Sequence, residues 1–299
     1  RLLLAKADVA LDFDAVLTRT ALSAEIRRFS LATPAGDSLA ATASLSLPVG
    51  PNPPITVSGT YTADLPTLLA PWLPLGRVKA AGDADFTLAG QKIELRRLHT
   101  RATDAAGLDL FKADALRPLV FDLATRRVEV AGATGATDLL RLSLGRLPLA
   151  VLPLTEPGTK LGGVVAAGEW VLAQDGEKLT VRTPSPVRLA DVSLAEQGRV
   201  ALTGLQIEAR PVIELTGTTS ARIQSGDVTV RTADGRLLLG ASGEATRTAG
   251  AGLQGAMTFT LEVAALATQP LFAGAQAVSA GRASGEVRAA LGVGNQLEA

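Results

Sequence analysis

Alternation of apolar and polar residues runs along most of the chain and predicts β-strands. Residues 39–47 are the clearest case, because Leu and Ala at odd positions alternate with Ala, Thr and Ser at even ones. A strand places successive side chains on opposite faces, so this pattern gives one apolar and one polar face. Turn dipeptides such as Asp175-Gly176 and Asp234-Gly235 separate many alternating segments and favour tight hairpins. The alternation and the turn dipeptides together predict a long antiparallel meander.

The predicted fold class is all-β. We expect an elongated, curved antiparallel sheet that forms a groove, with one or more short capping helices. A sandwich, a closed barrel and a β-solenoid also fit this many short strands. The positions assigned to the apolar side hold mainly Leu, Val and Ala, and the whole chain has only seven Phe. Such a smooth aliphatic face suits a flexible apolar ligand better than a large filled interior.

Residues 64–73, with the sequence DLPTLLAPWL, interrupt the strand pattern. Apolar residues at 65, 68, 69, 72 and 73 are spaced by three and four, Asp64 can cap, and Pro66 suits a first turn. The segment predicts a short amphipathic helix that ends at Pro74 and Gly76. Such a helix can cover an edge or an open end of a sheet.

One order of elements occurs three times in the chain: a strand, a helical turn, a glycine break and two further strands. It runs from Thr60 to Arg97, returns from Thr258, and is looser from Asp138. We therefore predict a single elongated repetitive β domain over residues 1–299, with repeat units beginning near 60, 138 and 258. Because the sequence starts on Arg1 within an apolar run, we also interpret it as a fragment of a longer chain.

The composition narrows the function classes. The chain has 29 Lys plus Arg against 29 Asp plus Glu, and 3% aromatic residues. It thus offers neither a basic field nor stacking rings for nucleic acid. Cysteine is absent, which excludes disulfides and thiolate chemistry. No uncharged apolar run reaches the roughly 18 residues that a membrane-spanning helix needs.

The sequence offers little catalytic chemistry. His99 is the single histidine, so a transition-metal site is not expected. Residues 250–255 match G-x-G-x-x-G but lead into a strand pattern at Met257, whereas a dinucleotide site needs a helix there. Asp83 and Asp85 share a strand face and could bind a hard cation, but solvated carboxylates are the commoner outcome. We assign no catalytic, metal or cofactor-binding residue, and we expect a protein that is not an enzyme.

The recurring pattern resembles the AsmA-like superfamily, which includes the TamB-type proteins of the Gram-negative cell envelope. The resemblance rests on a strand, a Leu-rich segment such as ADLPTLLAPWLP, a glycine-spaced segment, and outgoing strands such as QKIELRRL and EKLTVRT. It implies a repetitive β-groove protein that is anchored in the inner membrane and reaches across the periplasm. Members are implicated in moving phospholipid toward the outer membrane.

The function that this resemblance implies is a non-enzymatic lipid-transfer groove that shields phospholipid acyl chains between the two membranes. Its partners are then phospholipid, the inner membrane through a segment outside this sequence, and, as a candidate, an outer-membrane protein. The expected function involves neither nucleic acid nor a cofactor. The alternative is a structural or adhesive β-sheet scaffold with a closed core and no ligand, because alternation also fits a sheet packed on its own core.

The alternation identifies the residues that would line such a groove. The thirteen candidates are Leu39, Leu45, Leu47, Phe86, Leu88, Ile93, Leu95, Trp170, Leu172, Leu179, Val181, Phe259 and Leu261. Exposing one acyl tail of about sixteen carbons to water costs on the order of 12 kcal/mol, at roughly 0.8 kcal/mol per CH₂. A continuous dry trough removes most of that barrier and leaves the headgroup in water.

Overall fold

The computed structural model of the chain describes residues 6–69, 75–125, 127–129, 136–151, 158–176, 178–216, 220–248, 252–272, 280–291 and 297–298. The chain divides into two compact units, Arg1–Ser143 and Leu144–Ala299. Each unit is an antiparallel β structure, so the predicted all-β fold class is confirmed. A single repetitive domain over residues 1–299 stays a prediction. Within the described ranges, no helix has the length and apolar character needed to cross a membrane.

The first unit is a meander of antiparallel strands. Its strands are β1 (Asp8–Leu17), β2 (Ala21–Ala32), β3 (Ser38–Pro48), β4 (Ile55–Leu65), β5 (Val78–Ala89), β6 (Lys92–Thr103), β7 (Asp109–Ala115), β8 (Leu119–Asp122), β9 (Arg127–Glu129) and β10 (Thr137–Leu144). Strands β1 to β6 pair in chain order. The second half of β6 then pairs with β7 and its first half with β8. Burial along β3 alternates residue by residue, as its sequence predicts.

The second unit is also antiparallel, but its sheet forks. Its strands are β11 (Leu147–Pro148), β12 (Thr159–Asp175), β13 (Lys178–Arg182), β14 (Val187–Glu196), β15 (Arg199–Ala209), β16 (Pro211–Thr216), β17 (Ser220–Arg231), β18 (Leu237–Thr248), β19 (Gly252–Glu262), β20 (Arg282–Leu291) and β21 (Leu297–Glu298). The long β12 pairs with β14 along one part and with β13 along the other. The branches rejoin at β17, which pairs with both β15 and β16.

Short non-strand segments cover one end of the sheet in each unit. In the first unit this segment, the first plug, comprises Pro66–Leu69 and Leu75. Leu69 and Leu75 pack against the buried side chains of β5 to β7. In the second unit, the second plug comprises the single-turn helix α1 (Val263–Leu266) and a 3₁₀ turn at Pro270–Phe272. Each plug joins two strands that pair with each other, β4 with β5 and β19 with β20.

The helix predicted for residues 64–73 is not present in the described part of that segment. Asp64 and Leu65 are the last residues of β4, where Asp64 is paired with Lys79 of β5. Pro66–Leu69 forms bends and a turn, and residues 70–74 lie outside the described residues. Ladder pairing, of Asp64 with β3 and β5 and of Leu65 with β5, thus outweighs the local helical spacing at these two residues. The short capping helix that the fold prediction includes is α1.

Candidate functional site

The first unit has a continuous apolar face across five strands. Residues that are directly opposite in an antiparallel pair share a face, and the registers of β2 to β6 align the apolar positions of every strand. We call this set the unit-1 apolar face. Its residues, strand by strand, are Leu22, Ala24, Ile26, Phe29 and Leu31; Leu39, Ala41, Ala43, Leu45 and Leu47; Ile55, Val57, Gly59, Tyr61 and Ala63; Ala80, Gly82, Ala84, Phe86 and Leu88; and Ile93, Leu95, Leu98, Thr100 and Ala102.

Most of the unit-1 apolar face is half-exposed. The seven predicted groove residues of this unit, which run from Leu39 to Leu95, all lie on this face and all keep intermediate exposure. Among the described residues of the unit, the fully buried hydrophobic side chains are Val78, Ala102, Leu110 and Leu139. The first three form the cluster that packs against the first plug. The face is therefore sealed at the plug and accessible along much of its length.

The opposite face of the first unit is polar and carries cross-strand ion pairs. Arg97 Nε lies 2.7 Å from Asp83 Oδ2, and His99 Nδ1 contacts the Asp114 carboxylate. Asp83, a candidate cation ligand by its spacing from Asp85, thus has a guanidinium partner. No cluster of three or more His, Asp or Glu side chains suited to a metal occurs within the described ranges. One side of the sheet is therefore polar while the other side is apolar.

Small residues occupy the middle of the unit-1 apolar face. Gly59 lies between Ala43 and Ala84 in one cross-strand row, and Gly82 lies opposite Tyr61 in the next. A Cβ at Gly82 would lie 2.4 Å from the carbonyl oxygen of His99 and 2.8 Å from the Tyr61 ring. Neighbouring strands therefore approach too closely here for any larger residue. The larger Leu, Phe and Ile side chains flank this strip of small residues.

The apolar face of the second unit begins at two of the predicted residues. Leu172 lies opposite Val181, and the same row continues through β16 to β20. The members of this row are Leu172, Val181, Ile213, Ile223, Ala245, Gly255 and Ala289. Trp170 and Leu179 are half-exposed, like Leu172 and Val181. The most buried side chains of β12 lie elsewhere, because Val165, Val171 and Ala173 are 3%, 1% and 6% exposed.

Part of the second unit is a filled hydrophobic core. Its fully buried members are Leu149, Val165, Val192, Leu205, Val230, Leu238 and Ala265. Ala265 belongs to the second plug, and the predicted groove residue Leu261 packs against this core. Phe259 lies one row further from the plug and is half-exposed. In this unit the plug end is thus a solid interior.

A cavity opens beyond Phe259, on the same face of β17 to β20. Its volume is about 360 Å³, and its lining is glycine, aliphatic residues and one methionine, together with Ser242 and Glu244. Ile223, Met257 and Val287 in this lining are 43%, 42% and 48% exposed, respectively. The sequence prediction missed this site. The signal was present in GASGEA (240–245) and GLQGAM (252–257), where Gly and Ala occupy apolar-face positions and leave space between larger neighbours.

Comparisons with known proteins identify no relative of this chain. No protein-family model, no curated protein and no solved structure matches the chain.

Proposed function

We propose that this protein is a non-enzymatic lipid-transfer groove of the bacterial envelope, similar to AsmA-like proteins. The observation that carries this proposal is the unit-1 apolar face, which is register-aligned across five strands and remains half-exposed. In this proposal the face holds phospholipid acyl chains, and the headgroups stay in water. The protein works in the periplasm, anchored to the inner membrane through a segment outside this sequence, and delivers lipid to an outer-membrane partner.

The physical support is the match between the face and an acyl chain. Soluble monomeric proteins rarely expose large contiguous apolar patches, so an apolar face that stays half-exposed across five strands supports a binding role. The aliphatic side chains offer dispersion contacts without hydrogen-bond donors, and the strip of Gly and Ala between larger residues gives a chain a path. Each CH₂ removed from water contributes roughly 0.8 kcal/mol.

Photocrosslinking from the two faces of β3 tests the proposal. A photoreactive amino acid replaces Leu45 on the apolar face or Ser46 on the polar face, and the protein is incubated with phosphatidylethanolamine and phosphatidylglycerol vesicles. We expect lipid adducts at position 45 and none at position 46. Ser46 is exposed, whereas Thr87, the neighbour of Phe86, is 6% exposed and hydrogen-bonded to Thr56, so Ser46 is the better control. Equal labelling at both positions would argue against the groove.

A structural scaffold is the second candidate function, and the filled core of the second unit favours it. There, seven buried side chains from the β-strands, a 3₁₀ turn and the second plug pack together in one hydrophobic cluster. A scaffold predicts that protein purified in mild detergent carries no phospholipid. Mass spectrometry of organic extracts distinguishes the two candidates, since the groove predicts stoichiometric phospholipid and the scaffold predicts none.

A further inference from the structure

The cavity of the second unit has a closed end, an open end and a charge at the open end. We propose that it binds one alkyl chain of limited length that carries an anionic headgroup. This inference rests on the proposed function, because it names a ligand class for a second apolar site in the same chain. It differs from the open unit-1 apolar face in predicting a length limit and a headgroup preference.

Small residues form the floor of this cavity. Gly243, Ala245, Gly255 and Ala289 lie on the apolar face of β18, β19 and β20, in two adjacent cross-strand rows. Larger side chains such as Met257 rise around them. Leu at Ala245 or Ala289 would occupy the space, whereas a Cβ at Gly243 would lie only 2.5 Å from the carbonyl oxygen of Ala256. The cavity therefore exists because the strands hold Gly and Ala where the rest of the face holds larger residues.

The plug side of the cavity is closed. Val228 both lines the cavity and packs against the filled core of the unit. In the same cross-strand row as Val228, a Cβ at Gly285 would lie 3.3 Å from the ring of Phe259, so this ring lies over Gly285. On the plug side of Phe259, Ala265 is part of the filled core and Leu261 packs against it. A chain that enters from the other side meets this wall and cannot continue.

The side away from the plug carries a cation. Arg247 lies on the apolar face of β18, directly opposite Leu253, which lines the cavity. It is exposed and has neither an ion-pair nor a hydrogen-bond partner among the described residues. An arginine between Ala221 and Leu253 in its cross-strand row, beside an apolar cavity, is placed to meet an anionic group. Carboxylate and phosphate oxygens both match the planar donors of a guanidinium.

The lining selects an aliphatic chain of limited length. Its side chains are almost wholly apolar, and no aromatic ring lies among the lining residues to stack on a planar ligand. A cavity of about 360 Å³ holds on the order of a dozen methylene groups, if each takes the roughly 30 Å³ that a water molecule occupies in the liquid. The ligand is therefore a single chain of about twelve carbons with its anionic head at Arg247.

Calorimetry with saturated n-alkyl carboxylates of six to eighteen carbons, below their micelle concentrations, tests this site. We expect affinity to rise about fourfold per CH₂ and to level off near twelve carbons. In Met257→Ala, which lengthens the cavity, the plateau should move to longer chains by about two carbons. Arg247→Gln should weaken dodecanoate roughly two- to fivefold, because an exposed ion pair is weak, and leave dodecanol unchanged. Affinity that keeps rising through eighteen carbons would overturn the inference.

A matched pair on β20 locates the binding. Ala289→Leu fills the floor, whereas Ala290→Leu places the same side chain on the opposite face. We expect at least tenfold weaker dodecanoate binding in the first variant only, with equal thermal unfolding temperatures. Unchanged binding in folded Ala289→Leu removes the site. Crosslinking from position 45 is measured separately in the same variants. Lipid adducts at position 45 without dodecanoate binding in the cavity would support the proposed function and contradict the cavity site. Dodecanoate binding in the cavity without lipid adducts at position 45 would support the cavity site and contradict the proposed function.

Discussion

The carboxylate of Asp37 accepts the backbone N–H of Thr67 at 2.8 Å, and this bond joins the β2–β3 hairpin to the first plug. Asp37 is 3% exposed and also accepts the N–H of Leu68 at 2.8 Å. The second plug has a comparable tether, because the Oε1 atom of buried Gln269 accepts the N–H of Thr203 at 2.9 Å. In each unit, one buried polar side chain thus fixes the segment that covers the end of the sheet.

Replacing Asp37 should loosen the first plug. Asp37→Ala leaves the N–H groups of Thr67 and Leu68 without their charged acceptor, and hydrogen bonds to a charged group contribute roughly 1.5–3 kcal/mol. We expect chemical denaturation to show a loss of this size. The control is Asp64→Asn, which removes a charge from an exposed pair with Arg77 close to the same plug. An equal loss in the control would mean that general charge removal, and not the tether, explains the effect.

The same tether should respond to acid. Burial raises the pKa of Asp37, but hydrogen bonds from Thr67, Leu68 and Thr33 outweigh burial, so the pKa lies below the ordinary 3.8. A carboxyl group with a lowered folded-state pKa adds stability above its unfolded pKa and loses it as pH falls through the folded value. Unfolding free energies measured from pH 6 to 2 should therefore fall less steeply below pH 4 in Asp37→Asn than in the parent. Parallel curves would contradict this role of Asp37.

The second plug should depend on Gln269. Gln269→Leu keeps the side-chain volume but removes the acceptor of the Thr203 N–H, for an expected loss of about 0.5–1.5 kcal/mol, the net contribution of one hydrogen bond. Hydrogen exchange should show faster exchange at Thr203 and across Val263–Leu266, with β3 unchanged. Gln254→Leu is the control, because Gln254 is exposed on β19. Protection at Val263–Leu266 equal to that of the parent would show that packing alone holds this plug.

Gly82 should tolerate no side chain. In Gly82→Ala the new Cβ must displace the His99 carbonyl or the Tyr61 ring, and such overpacking typically costs 1–3 kcal/mol. The control is Gly50→Ala in an exposed turn, where a Cβ meets nothing within 4 Å. Thermal unfolding should separate the two variants clearly. A Gly82→Ala variant as stable as the parent would mean that β5 and β6 can separate without cost.

A charge on the unit-1 apolar face should remove bound lipid while the fold remains. Leu45 is half-exposed, so Leu45→Asp can keep its carboxylate hydrated in the empty protein but must desolvate it against an acyl chain. We expect copurified phospholipid, quantified by mass spectrometry, to fall at least tenfold. Ser46→Asp, one residue along β3 on the opposite face, should retain it. Equal lipid content in both variants would contradict an acyl-chain site on this face.

The alternating segments of the first unit were predictable because period two alone fixes which side a residue faces. Leu39, Leu45, Phe86 and Leu95 lie on one face, as their spacing predicts. The prediction was weaker on β12, whose sequence VVAAGEWVLA lacks strict alternation. Two register shifts there precede the buried Val171, while Trp170 and Leu172 stay half-exposed. A bulge changes the face of the sheet on which every later residue of the strand lies, and the local sequence does not indicate a bulge.

The sequence by itself determined the strands, their two-sided character and the aliphatic chemistry of one side, because these follow from side-chain type and a two-residue period. Only the tertiary structure decided that the plug end of the second unit is solid, that a cavity lies beyond Phe259, and that Arg247 lies beside it. The reason is that covering a face depends on pairing register and on residues distant in sequence, such as Asp37 with Thr67.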